Sequence, residues 1–176
     1  MSDWTWDLAR LNAGELSVLR RAAGVDVDHA SKPALRAFYK ACGYCDAWQE
    51  KFMFPAMCMD ALWRSTDEPT VKPMEECLRD FRAKLEEEKK STESMEHRID
   101  ALLETPWEDD GFLIGKLLNL VKILKSKTNL KPDFHRLAED LNRWNGDKRH
   151  VQRKWLKVLY NVKSEKTNEE EETNAV

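Results

Sequence analysis

The sharpest chemical spacing in the 176-residue chain is Cys42-Gly-Tyr-Cys45. A redox dithiol of this form wants a strand before a helix, and none is readable there. A zinc site wants a second close pair, whereas Cys58 and Cys77 follow thirteen and nineteen residues further on in turn. Cys42 also falls at a helix core position, so buried free thiols account for the cysteines better than metal or redox use. His29, His97, His135 and His150 have no H-E-x-x-H spacing, and neither a nucleophile elbow nor a glycine-rich phosphate loop occurs. An enzyme reading therefore finds little to hold, and no cofactor or metal is expected.

Positive charge is the other chemistry on offer, and it is segregated. Residues 1–66 are neutral in sum, and residues 67–115 carry seven basic and fifteen acidic side chains. Residues 116–163 then carry thirteen Lys or Arg against Asp133, Glu139, Asp140 and Asp147, while the tail from Ser164 is acidic through Glu165 and Glu169 to Glu172. Fields of one sign add locally even when the whole chain has a net charge of only -3. The basic block is thus a candidate polyanion surface, with a merely solvated helix face as the plain alternative.

Helices must position these charges, because apolar residues recur at helical spacing almost throughout. Asn12 caps a helix bearing Leu16 and Leu19, with Gly24 as its stop. Ser31 and Pro33 open a second with the stripe Leu35, Phe38, Tyr39 and Cys42, stopped by Gly43. Asp46 opens a nearly all-apolar segment through Pro55, a kink position, to Trp63. Ser65 to Lys72 reads as a loop. Further helices are expected from about Met74 to Lys90, around Arg98 to Leu103, from Gly111 to Lys125, from Pro132 to Gly146 and from Asp147 to Lys163.

On the last of these, Val151, Trp155, Val158, Leu159 and Val162 form the apolar stripe. Arg149, Arg153 and Lys157 then fall roughly opposite, with Lys154 and His150 at the flank. Lys32, Arg36 and Lys40 repeat the same spacing earlier, and no acid at intervening i+4 positions neutralises either ridge. Arg136, Asp140 and Arg143 look partly self-paired, which ranks Arg143 lower. Two like-charged ridges on separate helices suit phosphates, which need charge and reach but no particular base.

Hydrophobic residues make up 41% and charged residues 35%, enough for one packed core or two small ones sharing an interface. The longest stretch without an acidic or basic residue, Phe52 to Met59, is far too short to span a bilayer. With so few cysteines, a soluble protein of a reducing, cytoplasmic compartment is expected. The fold class is all-α, in two helical lobes over 1–90 and 91–164, followed by a disordered acidic tail over 165–176. Trp4 and Trp6 lie outside any expected helix, as an interface anchor or as an N-terminal strap over the core.

Several motifs, in order, carry a resemblance. They are Leu19-Arg20-Arg21, Ala37-Phe38-Tyr39, Arg98-Ile99-Asp100-Ala101-Leu102-Leu103, Asp133-Phe134 leading to Asp140-Leu141-Asn142-Arg143-Trp144, and Val151-Gln152-Arg153-Lys154-Trp155 through Tyr160. Each alone is weak, but their shared order resembles CasB, the small subunit of the type I-E CRISPR surveillance complex Cascade. The resemblance implies an all-helical, non-catalytic subunit present in two copies. Its partners would be CRISPR RNA, the target and displaced strands of R-loop DNA, the large subunit and the backbone subunits. It implies nucleic-acid roles for Arg20, Arg21, Arg98, Lys116, Arg153 and Lys154, to which the charge ridges add Arg36, Lys40, Arg143, Arg149 and Lys157. The rival readings are a free-standing helical DNA-binding regulator that reads DNA with its last helix, and a structural adaptor whose ridges meet acidic protein surfaces.

Overall fold

Capping chemistry fixes where the helices begin. The computed structural model describes residues 4–161, so the acidic tail expected over 165–176 lies outside the described residues, as do Val162 and Lys163. Helix α1 (Ala13–Arg21) opens with Asn12 accepting from the Glu15 amide while Glu15 reaches back to the Asn12 amide. Helix α2 (Lys32–Cys42) is capped by the Ser31 hydroxyl and stops at Gly43, whose φ of 66° suits glycine. Helix α3 (Ala47–Asp60) continues through Pro55, and every residue from Phe52 to Asp60 is buried, so it forms the centre of the core.

Helices α4 (Met74–Glu87), α5 (Glu93–Glu104), α6 (Phe112–Lys127), α7 (Phe134–Asn142) and α8 (His150–Leu159) complete the helical set of the described residues. The all-helical expectation holds apart from one small sheet. Within the stretch expected to be a loop, β1 (Thr70–Lys72) pairs in parallel with β2 (Leu130–Pro132), in the register Thr70 to Leu130 and Lys72 to Pro132. The Thr70 amide donates to Asn129 and the Asp133 amide to Lys72, so the sheet sets the starts of α4 and α7 side by side. Strands this short, containing Lys and Pro and joined across a long separation, leave no alternating pattern to read.

One continuous apolar cluster runs from Trp4 to Leu159. Helix α7 packs on α3, α8 on α4, α1 on α2, and α5 on α6. Trp4 and Trp6 are buried and form the N-terminal strap. Trp6 Nε1 donates to Asp60 Oδ2 at 2.7 Å, its ring stacks on His135 at 4.0 Å, and His135 Nδ1 donates to the Trp4 carbonyl. Lys131 Nζ closes on the other oxygen of the buried Asp60 at 2.6 Å.

Two expectations about helix faces are corrected. In α2 the buried stripe is Ala34, Ala37, Phe38, Ala41 and Cys42, while Leu35 is half-buried and Tyr39 is 48% exposed. The small alanines let α1 approach closely, which rotates the packed face. The last helix does not start at Asp147: a short 3-10 turn (Asp147–Arg149) with left-handed Lys148 (φ 60°) and Arg149 (φ 53°) precedes it, and it ends at Leu159.

Candidate nucleic-acid interface

Helix α8 presents the clearest basic face. Val151, Trp155 and Leu159 are buried against the core, so Arg153 and Lys157, one turn apart, stand exposed and make no ion pair among the described residues. The left-handed turn removes Arg149 from that helical phase. Its Nη2 donates instead to the Leu103 carbonyl at the end of α5, where Lys116 Nζ also donates to Thr105 Oγ1 at 2.6 Å. Both cations therefore gather at a helix C-terminus, where the peptide dipoles favour positive charge.

Lys154 faces inward. Its Nζ donates to Asp140 Oδ1 at 2.7 Å, and Trp155 Nε1 donates to Asp140 Oδ2 at 2.9 Å. Beside them Glu75 is buried, with Lys154 at 4.0 Å and Arg136 at 3.8 Å. Burial pushes the Glu75 carboxyl above its ordinary pKa, and the neighbouring Asp140 adds to that. The self-pairing expected among Arg136, Asp140 and Arg143 is thus replaced: Asp140 serves Lys154 and Trp155, while Arg143 pairs with Glu139 at 3.5 Å.

The N-terminal candidates divide in the same way. Arg20 Nε donates to the Ala61 carbonyl at 2.6 Å, tying α1 to the end of α3, whereas Arg21 is exposed without an ion pair among the described residues. On α2, Arg36 and Lys32 are exposed and unpaired among those residues. Lys40 is neutralised after all, because Glu15 of the neighbouring helix lies 2.8 Å away, and its hydrogen bond holds Glu15 below the usual carboxylate value. That acid lies 25 residues away in sequence, where spacing along α2 alone gives no signal. On α5, Arg98 is exposed beside a groove that Lys84, Lys90 and Lys127 also rim. Sequence reasoning passed over these three lysines because two of them sit in the acidic block. It also passed over the exposed Lys148, which it placed inside a regular helix.

The cysteines are free, and Cys42, Cys58 and Cys77 are buried. No group of three or more His, Cys, Asp or Glu side chains is arranged to hold a metal ion among the described residues. None of the described helices is long and apolar enough to cross a membrane.

A single helical core carrying separated outward cations defines a charge-presenting helical subunit. The family model for CRISPR-associated protein Cse2 matches residues 15–160. The chain belongs to this family, and the resemblance to CasB, the small subunit of type I-E Cascade, is borne out. Among solved structures, M. ruber CasB is similar at 18% identity and a TM-score of 0.65, over 96% of this chain and 93% of that one. CasB from Thermus thermophilus is similar at 23% identity and a TM-score of 0.64, over 91% and 95%. A chain of a CRISPR RNA-guided surveillance complex is similar at 19% identity and a TM-score of 0.66, over 85% and 83%. Among curated proteins, none matches the sequence.

Proposed function

We propose that the chain acts, without catalysing a reaction, as a Cascade small subunit that steadies guide RNA and the separated strands of target DNA by neutralising their phosphates. The observation that carries this reading is the pair Arg153 and Lys157, exposed on successive turns of α8 and unpaired among the described residues, on a helix whose opposite face is locked in the core. Arg21, Arg36 and Arg98 supply further free charge. Lys40 and Arg143, held only by exposed ion pairs, can exchange a carboxylate for a phosphate at little cost. Arg149 and Lys116 sit at the α5 terminus with exposed side chains, and Arg20 and Lys154 act mainly by holding the framework.

Forming a guide–target duplex replaces one duplex with another at nearly balanced energy, so modest attraction to the released strand tips the exchange. Sequence is read by base pairing, which leaves charge without base preference to this subunit. The partners in this reading are CRISPR RNA, both DNA strands, the large and backbone subunits and a second copy of the chain.

The test replaces Arg153 and Lys157 with glutamate in the assembled complex and measures target DNA binding across a salt titration. Weaker binding is expected, with a salt slope lower by about 0.7 to 0.9 for each phosphate that is no longer neutralised. An unchanged slope overturns the reading, and base-specific binding by the isolated chain would favour a free-standing regulator.

A further inference from the structure

We propose that the chain's own acidic tail, residues 165–176, docks in the groove between α4, α5 and α6. The groove encloses roughly 410 Å³ over an apolar floor that includes Phe81, Leu85 and Ile123. Lys84, Lys90, Arg98 and Lys127 rim it against a single acid, Glu88, which lies 2.9 Å from Lys90. Lys84, Lys90 and Arg98 belong to the stretch that is most acidic by sequence and Lys127 to the basic block that follows, so the cationic rim comes from how α4, α5 and α6 assemble.

Three observations point to the tail as the occupant. The described chain ends against α4, one wall of the groove: the Tyr160 ring lies under the Arg82 guanidinium, 5.0 Å from it, one residue before Asn161. Arg82 also donates to Glu96 of α5 at 2.8 Å, so this exit sits where α4 meets α5, and the groove opens along the following turns of α4. Reach is sufficient as well. Glu169 to Glu172 follow Asn161 by 8 to 11 residues, a span of up to roughly 25–40 Å in extended chain, whereas Arg82 and Glu87, the end of α4, are only about 8 Å apart along the helix axis.

Charge is complementary, since the tail carries Glu165 and four consecutive glutamates against Lys166 alone. Carboxylates at the rim would meet the ammonium and guanidinium groups while the glutamate methylenes cover the apolar floor. The family match covers residues 15–160, so the tail lies outside the matched residues. Docking itself needs no nucleic acid. Its consequence, that the tail shields Arg98 from polyanions, rests on the function proposed above.

The experiment uses the full chain alone, joined by a carbodiimide that links carboxylates to amines in contact, with cross-linked peptides mapped by mass spectrometry. Links from Glu169–Glu172 to Lys84, Lys90 and Lys127 within one chain are expected. They should fall about fivefold or more in Arg98→Glu, which removes one attraction and adds a repulsion without touching a reactive amine. They should also vanish at about 1 M salt, where the screening length is about 3 Å. Unchanged helical circular dichroism verifies the fold of the variant, whose altered side chain is exposed. Links spread evenly over Lys32, Lys51 and Lys122 on other faces would overturn the proposal. So would links only between differently isotope-labelled chains, which would assign the groove to a second copy's tail. With no nucleic acid present, failure here is separate from failure of the strand-binding reading.

Discussion

Lys154 Nζ lies 2.7 Å from Asp140 Oδ1, and the same carboxylate takes the Trp155 indole N–H on its other oxygen. A lysine at the edge of a basic ridge by sequence is therefore the counter-charge of a buried acid. Asp140 is only 6% exposed, so removing its cation leaves a charge in a poor solvent. Lys154→Ala is expected to destabilise the chain by about 1–3 kcal/mol, the partly exposed ammonium keeping the loss below that of a fully buried pair. Arg153→Ala, on the exposed face of the same helix, should stay within about 0.5 kcal/mol of the parent. Urea unfolding of the two variants checks the contrast, and equal losses would remove the distinction between framework and free cations.

The arginine pair of α1 offers the same test at the other end of the fold. Arg20 Nε donates to the Ala61 carbonyl, one of the groups a helix end leaves without an internal partner, and Arg21 points to solvent. Arg20→Ala should cost about 1–2 kcal/mol, and Arg21→Ala close to nothing. In the assembled complex the order reverses, with Arg21→Ala carrying the larger share of any change in salt-dependent DNA binding.

These contrasts mark how far the sequence could be read. Helix starts were legible because Asn12, Ser31 and Asp133 are local signals that act within one turn. The family motifs were legible because their order spans most of the matched residues. Pairings between elements were not: Glu15 against Lys40, Asp140 against Lys154 and Thr70 beside Leu130 depend on packing, which no periodicity reports. The break before α8 was hidden for a related reason. Lys148 and Arg149 adopt left-handed conformations that neither residue type signals, and the Arg149 bond to the Leu103 carbonyl comes from another helix.

Thiol reactivity follows from burial. Desolvation first, then the neighbouring Cys45, pushes Cys42 up to about 12, and burial does the same to Cys58 and Cys77. The thiolate is the reactive form, so these three are almost wholly protonated near neutral pH. Cys45 is raised too, chiefly by burial, but it is only half-buried and the Cys42 hydrogen bond opposes the shift. Iodoacetamide near pH 7.5 should therefore label Cys45 first, with the other three labelled at the rate of unfolding. Mass mapping over time checks the order, and early modification of Cys58 would contradict the packing of α3.

Glu75 makes a prediction whose sign depends on pH. Its carboxyl is buried, and Oε2 has no hydrogen-bond partner. Burial raises its folded pKa above the ordinary 4.5, against the opposing pull of Lys154 and Arg136 and with Asp140 adding to the rise. When pH rises through 4.5, the unfolded chain releases the proton while the folded chain still holds it, so stability falls. The fall continues until pH passes the folded pKa, and the deficit then stays constant. Glu75→Gln removes this titration. Relative to the parent, the variant should therefore be more stable near about pH 7 than near about pH 4. Urea midpoints of both proteins at those two values measure the difference. A gap that does not change would mean that Lys154 and Arg136 balance the desolvation of this carboxylate, and one that grows toward acid that they outweigh it.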